Sequence, residues 1–246
     1  MNTAYTSLHL CILIIGNEVL SRSVHESNLD YVLLKSAAKG CVVDEVRIVS
    51  DSIDVIAAAV RDLSSSNRML ITSGGIGPTH DDVTVEAVAK AFSVPLCEDA
   101  DMRSFLENRY RSDCTPAVLS MAQLPKGTEV IYDDSRHWPI LRFHQCYILP
   151  GLPKAFQNRI DRIFDSIPSQ PQWSTAELKT LRDESVFAAE LTRLQQQFPE
   201  VEIGSYPQIR QTAGYAVKIT LRSRNEAAVR TANAELQRLF RQNGWL

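Results

Sequence analysis

Between Met69 and Phe92 the chain passes from a short apolar segment, Met69-Leu70-Ile71-Thr72, through Gly74, Gly75 and Gly77 into residues with helical spacing. That order predicts a buried strand, a tight turn and a helix start. Glycine reaches backbone angles closed to other residues, and the first N–H groups of a helix carry partial positive charge, so the turn suits a phosphate or another anion. Asp81 or Asp82 is expected to open the helix Val83 to Phe92, and Gly75 to leave room for the guest. Carboxylates at a helix start compete with an anion, and a divalent cation between the two reconciles them. The plain alternative is a strand-to-helix turn with an aspartate cap. The loop has neither the Gly-Lys-Ser/Thr of a P-loop nor the Gly-x-Gly-x-x-Gly of a dinucleotide fold.

The flanking segments alternate in the same way. Leu8 to Ile15 is an apolar run broken only by His9, as in a strand covered on both faces of a parallel sheet, and it ends in Gly16-Asn17-Glu18. A loop, Val19 to Ser27, leads to a helix from Asn28 to Lys39 with Leu29, Val32, Leu33 and Ala37 at helical spacing and Gly40 as stop signal. Cys41 to Ser50 reads as a second strand, with Asp51-Ser52 capping a helix to about Leu63. Such alternation predicts an α/β fold of three layers, a mostly parallel sheet with helices on both faces and right-handed crossovers. Ligands in such folds sit at the carboxyl ends of the strands, so Glu18 should converge there with Asp81 and Asp82.

Farther along, Ala100 to Arg111 and Pro116 to Leu124 read as helices, and Thr128 to Tyr132 and Ile140 to Leu149 as two strands. Pro150-Gly151-Leu152-Pro153 repeats the glycine turn before a helix, Lys154 to Ile167, and its backbone could border the same site. His137 and His144 read as structural, since nothing in their spacing pairs them with a nucleophile. Ser166 to Trp173, SIPSQPQW, marks a linker. Behind it a strand, a helix, two strands and a helix (177–182, 185–197, 201–206, 215–222 and 226–241) predict a small α+β unit. The expected domains are residues 1–168 and 174–246.

A net charge of −3, with 26 basic residues scattered among 29 acidic ones, implies no polyanion and hence no nucleic-acid partner. The five cysteines form no C-x-x-C pair, which argues against a disulfide framework or structural zinc and fits a reducing cytoplasm. The first apolar run is far shorter than the ~20 residues that span a bilayer and lacks a basic leader, so neither secretion nor a membrane is expected.

Taken together, Ile15-Gly16-Asn17-Glu18-Val19-Leu20, Asn28 and the long run Gly74-Gly75-Ile76-Gly77-Pro78-Thr79-His80-Asp81-Asp82-Val83-Thr84 resemble the molybdopterin-binding (MoaB/Mog-like) superfamily, in the branch of CinA and the N-terminal domain of FAD synthase. The resemblance continues through Leu149 to Pro153 and Ile203 to Pro207, and the C-terminal unit is similar to the KH-like module that follows this domain in CinA. It implies cleavage of the pyrophosphate of nucleotide diphosphate compounds such as ADP-ribose or FAD with a divalent metal (Mg, Mn or Co). The Mog branch implies instead binding and adenylylation of molybdopterin, and a non-catalytic nucleotide-binding module is the third reading. On the resemblance, Asp82 and Asp81 are catalytic and, with Glu18, hold the metal. Gly16, Asn28, Ser73, Gly74, Gly75, Gly77, Pro78, Thr79, Thr84, Gly151 and Pro153 line the nucleotide or pterin ligand, and the protein forms a homo-oligomer, a dimer or a trimer. Two positions depart from the pattern. Asn17 stands where the family usually carries Asp, and Tyr132-Asp133-Asp134-Ser135 where many relatives have an Asn-Pro turn. The C-terminal unit has no Gly-x-x-Gly loop between Gly204 and Gly214 and is expected to serve packing or dimerisation rather than RNA.

Overall fold

In the computed structural model, residues 8–64, 68–133, 137–208 and 214–246 are described. They form two compact units, Met1–Gln170 and Pro171–Leu246. Asp134 and Ser135, part of one departure from the family pattern, lie outside the described residues, as do residues 209–213 between Gly204 and Gly214.

The apolar run at the start is strand β1 (His9–Ile15), buried from Leu10 onward. Its alternate residues serve two cores, which requires helices on both sides. Cys11, Leu13 and Ile15 pack with one cluster and Leu10, Ile12 and Ile14 with another. The chain continues through a short helix α1 (Asn17–Leu20), where a loop is expected, then α2 (Asn28–Lys39), β2 (Val42–Val49), α3 (Ile53–Leu63) and β3 (Arg68–Ser73). Helix α2 turns a different stripe inward from the one its leucines suggest: Asn28, Val32 and Ser36 are buried, whereas Leu33 and Leu34 are exposed.

After β3 come α4 (Thr84–Ala91), β4 (Leu96–Glu98), α5 (Ala100–Tyr110), α6 (Pro116–Ser120), β5 (Gln123–Pro125), β6 (Glu129–Ile131), β7 (Ile140–Phe143), β8 (Cys146–Leu149) and α7 (Pro153–Ser166). The six-stranded sheet has the order β2-β1-β3-β8-β7-β6. β1 runs parallel to β2 and β3, with Ile12 opposite Ile71, and β3 runs parallel to β8. Helices α3, α4, α5 and α6 cover one face and α2 and α7 the other, giving the expected three-layer α/β architecture.

Two expectations fail here for identifiable reasons. Ile140 to Leu149 is a hairpin, because His144, at φ 51°, and Gln145 turn the chain back so that β7 pairs antiparallel with β8. His144 then stacks on Phe92 at 5.5 Å and meets Phe143 edge-on at 4.5 Å, a packing role. The helix from Pro116 stops at Ser120, since Gln123-Leu124-Pro125 is drawn out to pair antiparallel with Leu96–Glu98.

The second unit comprises β9 (Ser174–Thr180), α8 (Ala188–Gln197), β10 (Glu202–Pro207), β11 (Val217–Ser223) and α9 (Glu226–Gln242). Its antiparallel sheet, ordered β10-β11-β9, buries Val217, Ile219 and Leu221 against a cluster that includes Phe187, Leu236 and Phe240. Among the described residues no helix is long and apolar enough to cross a membrane.

Candidate functional site

Because β1, β3 and β8 are parallel neighbours, their carboxyl ends, at Ile15, Ser73 and Leu149, open onto one edge of the sheet. Glycines let the three ends meet. Gly74, at φ 109°, has no room for a side chain, since a Cβ would lie 2.2 Å from the Ile15 carbonyl oxygen. Its N–H donates to the Leu149 carbonyl at 3.1 Å, and Gly151 sits so close that its Cβ would be 3.2 Å from the Gly74 Cα. Asn28 fastens the junction from α2. Its Nδ2 donates to Ser73 Oγ (2.9 Å) and to the Gly151 carbonyl (2.8 Å), bonds that reach 45 and 123 residues along the chain. A carbonyl can only accept, which fixes the orientation of the Asn28 amide and leaves its buried Oδ1 without a partner among the described residues.

The glycine loop closes on Thr84. The Thr84 N–H donates to the Gly75 carbonyl and its Oγ1 to the Gly74 carbonyl, both at 2.9 Å, and Thr84 is fully buried. Gly75, at φ 68°, is glycine for this reason, because a Cβ there would stand 2.3 Å from Thr84 Oγ1. The expectation that its missing side chain makes room for a guest is thereby corrected. Loop and helix need that space for each other. The N–H groups of Gly75, Ile76 and Gly77 find no acceptor among the described residues.

Neither Asp81 nor Asp82 caps the helix. Thr84 is its first residue and Val83 its N-cap, with no side-chain capping bond. Both carboxylates turn instead to Thr79. Asp82 Oδ2 accepts from the Thr79 N–H at 3.0 Å and lies 2.5 Å from Thr79 Oγ1, while Asp81 Oδ1 lies 2.6 Å from the same hydroxyl. Gly77 makes this possible, since a Cβ there would meet Asp82 Oδ2 at 2.5 Å. One hydroxyl has one proton to give, so two carboxylates converge on a single donor. The bond from Thr79 is the main cause that holds the Asp81 carboxyl below its usual range. The arrangement places two hard carboxylate groups on one hydroxyl, with His80 near enough to add to the lowering at Asp81.

At the end of β1, Glu18 folds back over Gly16, where a Cβ would lie 2.4 Å from Glu18 Oε1. Among the described residues no three His, Cys, Asp or Glu side chains form a ready metal cluster. The sequence places Asp51 as a helix cap, yet α3 starts after Ser52 without a side-chain capping bond. The Asp51 carboxylate instead accepts the Asn17 N–H at 2.7 Å and so holds the turn that carries Glu18. No local signal distinguishes these two roles of an aspartate before a helix. Pro153 occupies the first turn of α7, whose N-cap is Leu152.

Beside the glycine loop, Ile76, Gly77, Pro78, Thr79, Asp82 and Trp138 help to line a cavity of about 100 Å³. Near the end of β6, Asp133 receives two guanidinium groups, Arg159 at 3.3 Å and Arg162 at 3.0 Å, with His137 Nδ1 at 3.7 Å. This places His137 beside the Asp133–arginine cluster, a structural setting.

The family description "probable molybdopterin binding domain" matches residues 11–169, and "FAD synthase, middle domain" matches residues 172–245. A protein of Archaeoglobus fulgidus is 27% identical over 95% of this chain and 98% of its own length. A probable FAD synthase of Caenorhabditis elegans is also 27% identical, over 93% of this chain and 49% of its own length, so the chain spans about half of that relative. In structure, a CinA protein of unknown function from Thermoplasma acidophilum superposes with a TM-score of 0.58 at 28% identity, over 66% of this chain and 99% of its own.

Proposed function

Since the chain belongs to the molybdopterin-binding domain family, we propose that its first unit binds a nucleotide diphosphate compound by the pyrophosphate and hydrolyses that bond with a divalent cation. The observation that carries this reading is the convergence of Asp81 and Asp82 on the one hydroxyl of Thr79, directly beside a glycine loop with unpaired N–H groups. The N–H groups of Gly75, Ile76 and Gly77 take phosphate oxygens, as oriented backbone amides do in anion-binding nests. Asn28 and Thr84 hold the loop in shape at no cost during the reaction.

Asp81 and Asp82 fit a cation of the Mg²⁺ kind, which takes one or two carboxylates and completes its shell with water and substrate phosphate rather than an all-protein cage. Glu18, at the end of the adjacent strand, is expected from the sequence as a third ligand but does not form a cluster with Asp81 and Asp82 among the described residues, so the pair carries the site. When bound, the ion neutralises developing phosphate charge and polarises the bond to be broken. ADP-ribose and FAD are the candidate substrates, supported by the FAD synthase match of the second unit. A pterin held through its terminal phosphate is the second reading, favoured by the description of the matched family. The active form is a cytoplasmic homo-oligomer, a dimer or a trimer.

The test is release of AMP from ADP-ribose, FAD and NAD with Mg²⁺, Mn²⁺ or Co²⁺ and without metal, for the native chain and for Asp82→Asn. Asparagine keeps an acceptor for Thr79 but exchanges a charge-assisted bond for a neutral one, so stability should fall by no more than about 1 kcal/mol. It replaces a charged oxygen with an amide, so turnover should fall by orders of magnitude. Full turnover in Asp82→Asn overturns the assignment. Binding without AMP release under every metal moves the reading to the pterin or to a module that binds without chemistry.

A further inference from the structure

We propose that Trp138 recognises the heterocyclic end of the ligand, an inference that rests on the phosphate reading of the glycine loop. The cavity beside Asp82 is bounded by Ile76, Val85, Met121 and Leu141, by the polar side chains of Ser120 and Gln123, and by the Trp138 ring. The Trp138 Nε1 is buried and has no hydrogen-bond partner among the described residues. A buried indole N–H almost always finds an acceptor, so an unfilled one beside a cavity marks where an acceptor belongs. The ring is fixed in place. Phe105 meets it edge-on at 5.7 Å, and Pro139 restricts the Trp138 backbone to extended angles.

The size of the space says how much of a ligand enters. About 100 Å³ is well below the ~300 Å³ of a site that swallows a whole small ligand. One flat ring edge fits while the remainder stays outside. A lining that mixes apolar side chains with polar ones, the Trp138 N–H among them, suits a heteroaromatic ring whose edge offers nitrogens or carbonyls, as purines, flavins and pterins do. Its position next to Gly77, Thr79 and Asp82 lets the same molecule set its phosphates on the loop.

The experiment uses the full chain with Mg²⁺ and two probes whose phosphates cannot be hydrolysed, methylene-bridged ADP-ribose and base-free methylenediphosphonate, titrated by calorimetry. Trp138→Phe keeps an aromatic face but removes the donor and part of the indole. It should weaken the ADP-ribose analogue about tenfold and leave methylenediphosphonate within about twofold. In the ¹⁵N-labelled native chain, the Trp138 indole resonance should shift with the ADP-ribose analogue alone, with Trp173 and Trp245 as internal controls. That measurement does not depend on the variant folding. Displacement by AMP, FMN or a pterin then names the heterocycle. Equal effects on both probes, or an unmoved indole resonance, overturn the role of Trp138 and leave the cavity to water. Failure of both probes to bind the native chain overturns the phosphate reading itself, and this inference with it.

Discussion

Substituting Gly75 with alanine should destabilise the first unit by about 2–5 kcal/mol, and most of that cost should depend on Thr84. Two effects add. Gly75 sits at φ 68°, where an L-residue costs about 1–2 kcal/mol. The new Cβ would also stand 2.3 Å from Thr84 Oγ1, a fully buried group whose bond to the Gly74 carbonyl must break to clear the clash. An unmade bond at a buried carbonyl costs about 1–3 kcal/mol. Thr84→Ala alone loses the same bond, at about 1–2 kcal/mol, but it also removes the atom that Gly75→Ala strikes. In the Thr84→Ala background, Gly75→Ala should therefore cost only its backbone strain, about 1–2 kcal/mol. The double-mutant cycle should show a coupling of about 1–3 kcal/mol, as expected for groups in contact. The measurement is urea unfolding of the full chain by circular dichroism, reading the transition that the substitutions move. Additivity within about 0.5 kcal/mol would mean that Gly75 and Thr84 do not compete for the same space.

Asp133→Asn should cost about 3 kcal/mol, because Arg159, only 1% exposed and with its pKa lowered chiefly by burial, would keep its charge without an anion. The exposed pair Lys90–Asp54 is the control, and Asp54→Asn there should be silent in the same unfolding experiment. Equal effects at the two sites would contradict the contrast in burial. Burial pushes the Cys146 thiol from its ordinary 9.0 up to about 12, so in the native chain iodoacetamide at pH 8 should label exposed Cys97 and spare Cys146, as peptide mapping would show. By the same shift Cys146 holds its proton longer when folded than when unfolded. Its contribution to stability is complete below pH 9 and declines between pH 9 and about 12. Labelling of Cys146 at the rate of Cys97 would show that the thiol is not buried as described.

Much of the fold was legible because burial leaves a periodic mark in the sequence. A strand covered on both faces must be apolar throughout, as Leu10 to Ile15 is, and helices that cover such a sheet show a stripe, as Ile56, Ala57, Val60 and Leu63 do. The turn at His144-Gln145 left no such mark. Apolar residues continue on both sides of it, and no glycine or proline announces the reversal. The glycine loop was legible as a special turn, and Asp82 as a residue with a special place beside it.

What each of those residues touches was decided only by the tertiary structure. A local rule assigns an aspartate before a helix to the cap, yet Thr79 claims Asp81 and Asp82, and Asn17 claims Asp51 from 34 residues away. The Asn28 amide reads as an ordinary helix start until the ends of β3 and β8 are brought to it. Sequence alone determined the βα alternation and the fully buried strands, because those depend on the apolar pattern of each segment, while the β7–β8 hairpin and the strand Gln123–Pro125 depended on pairing with other segments. The meeting of the glycine loop, the carboxylate pair and Trp138 was fixed by strand order and by crossings between distant elements, for which no short stretch of sequence carries a signal.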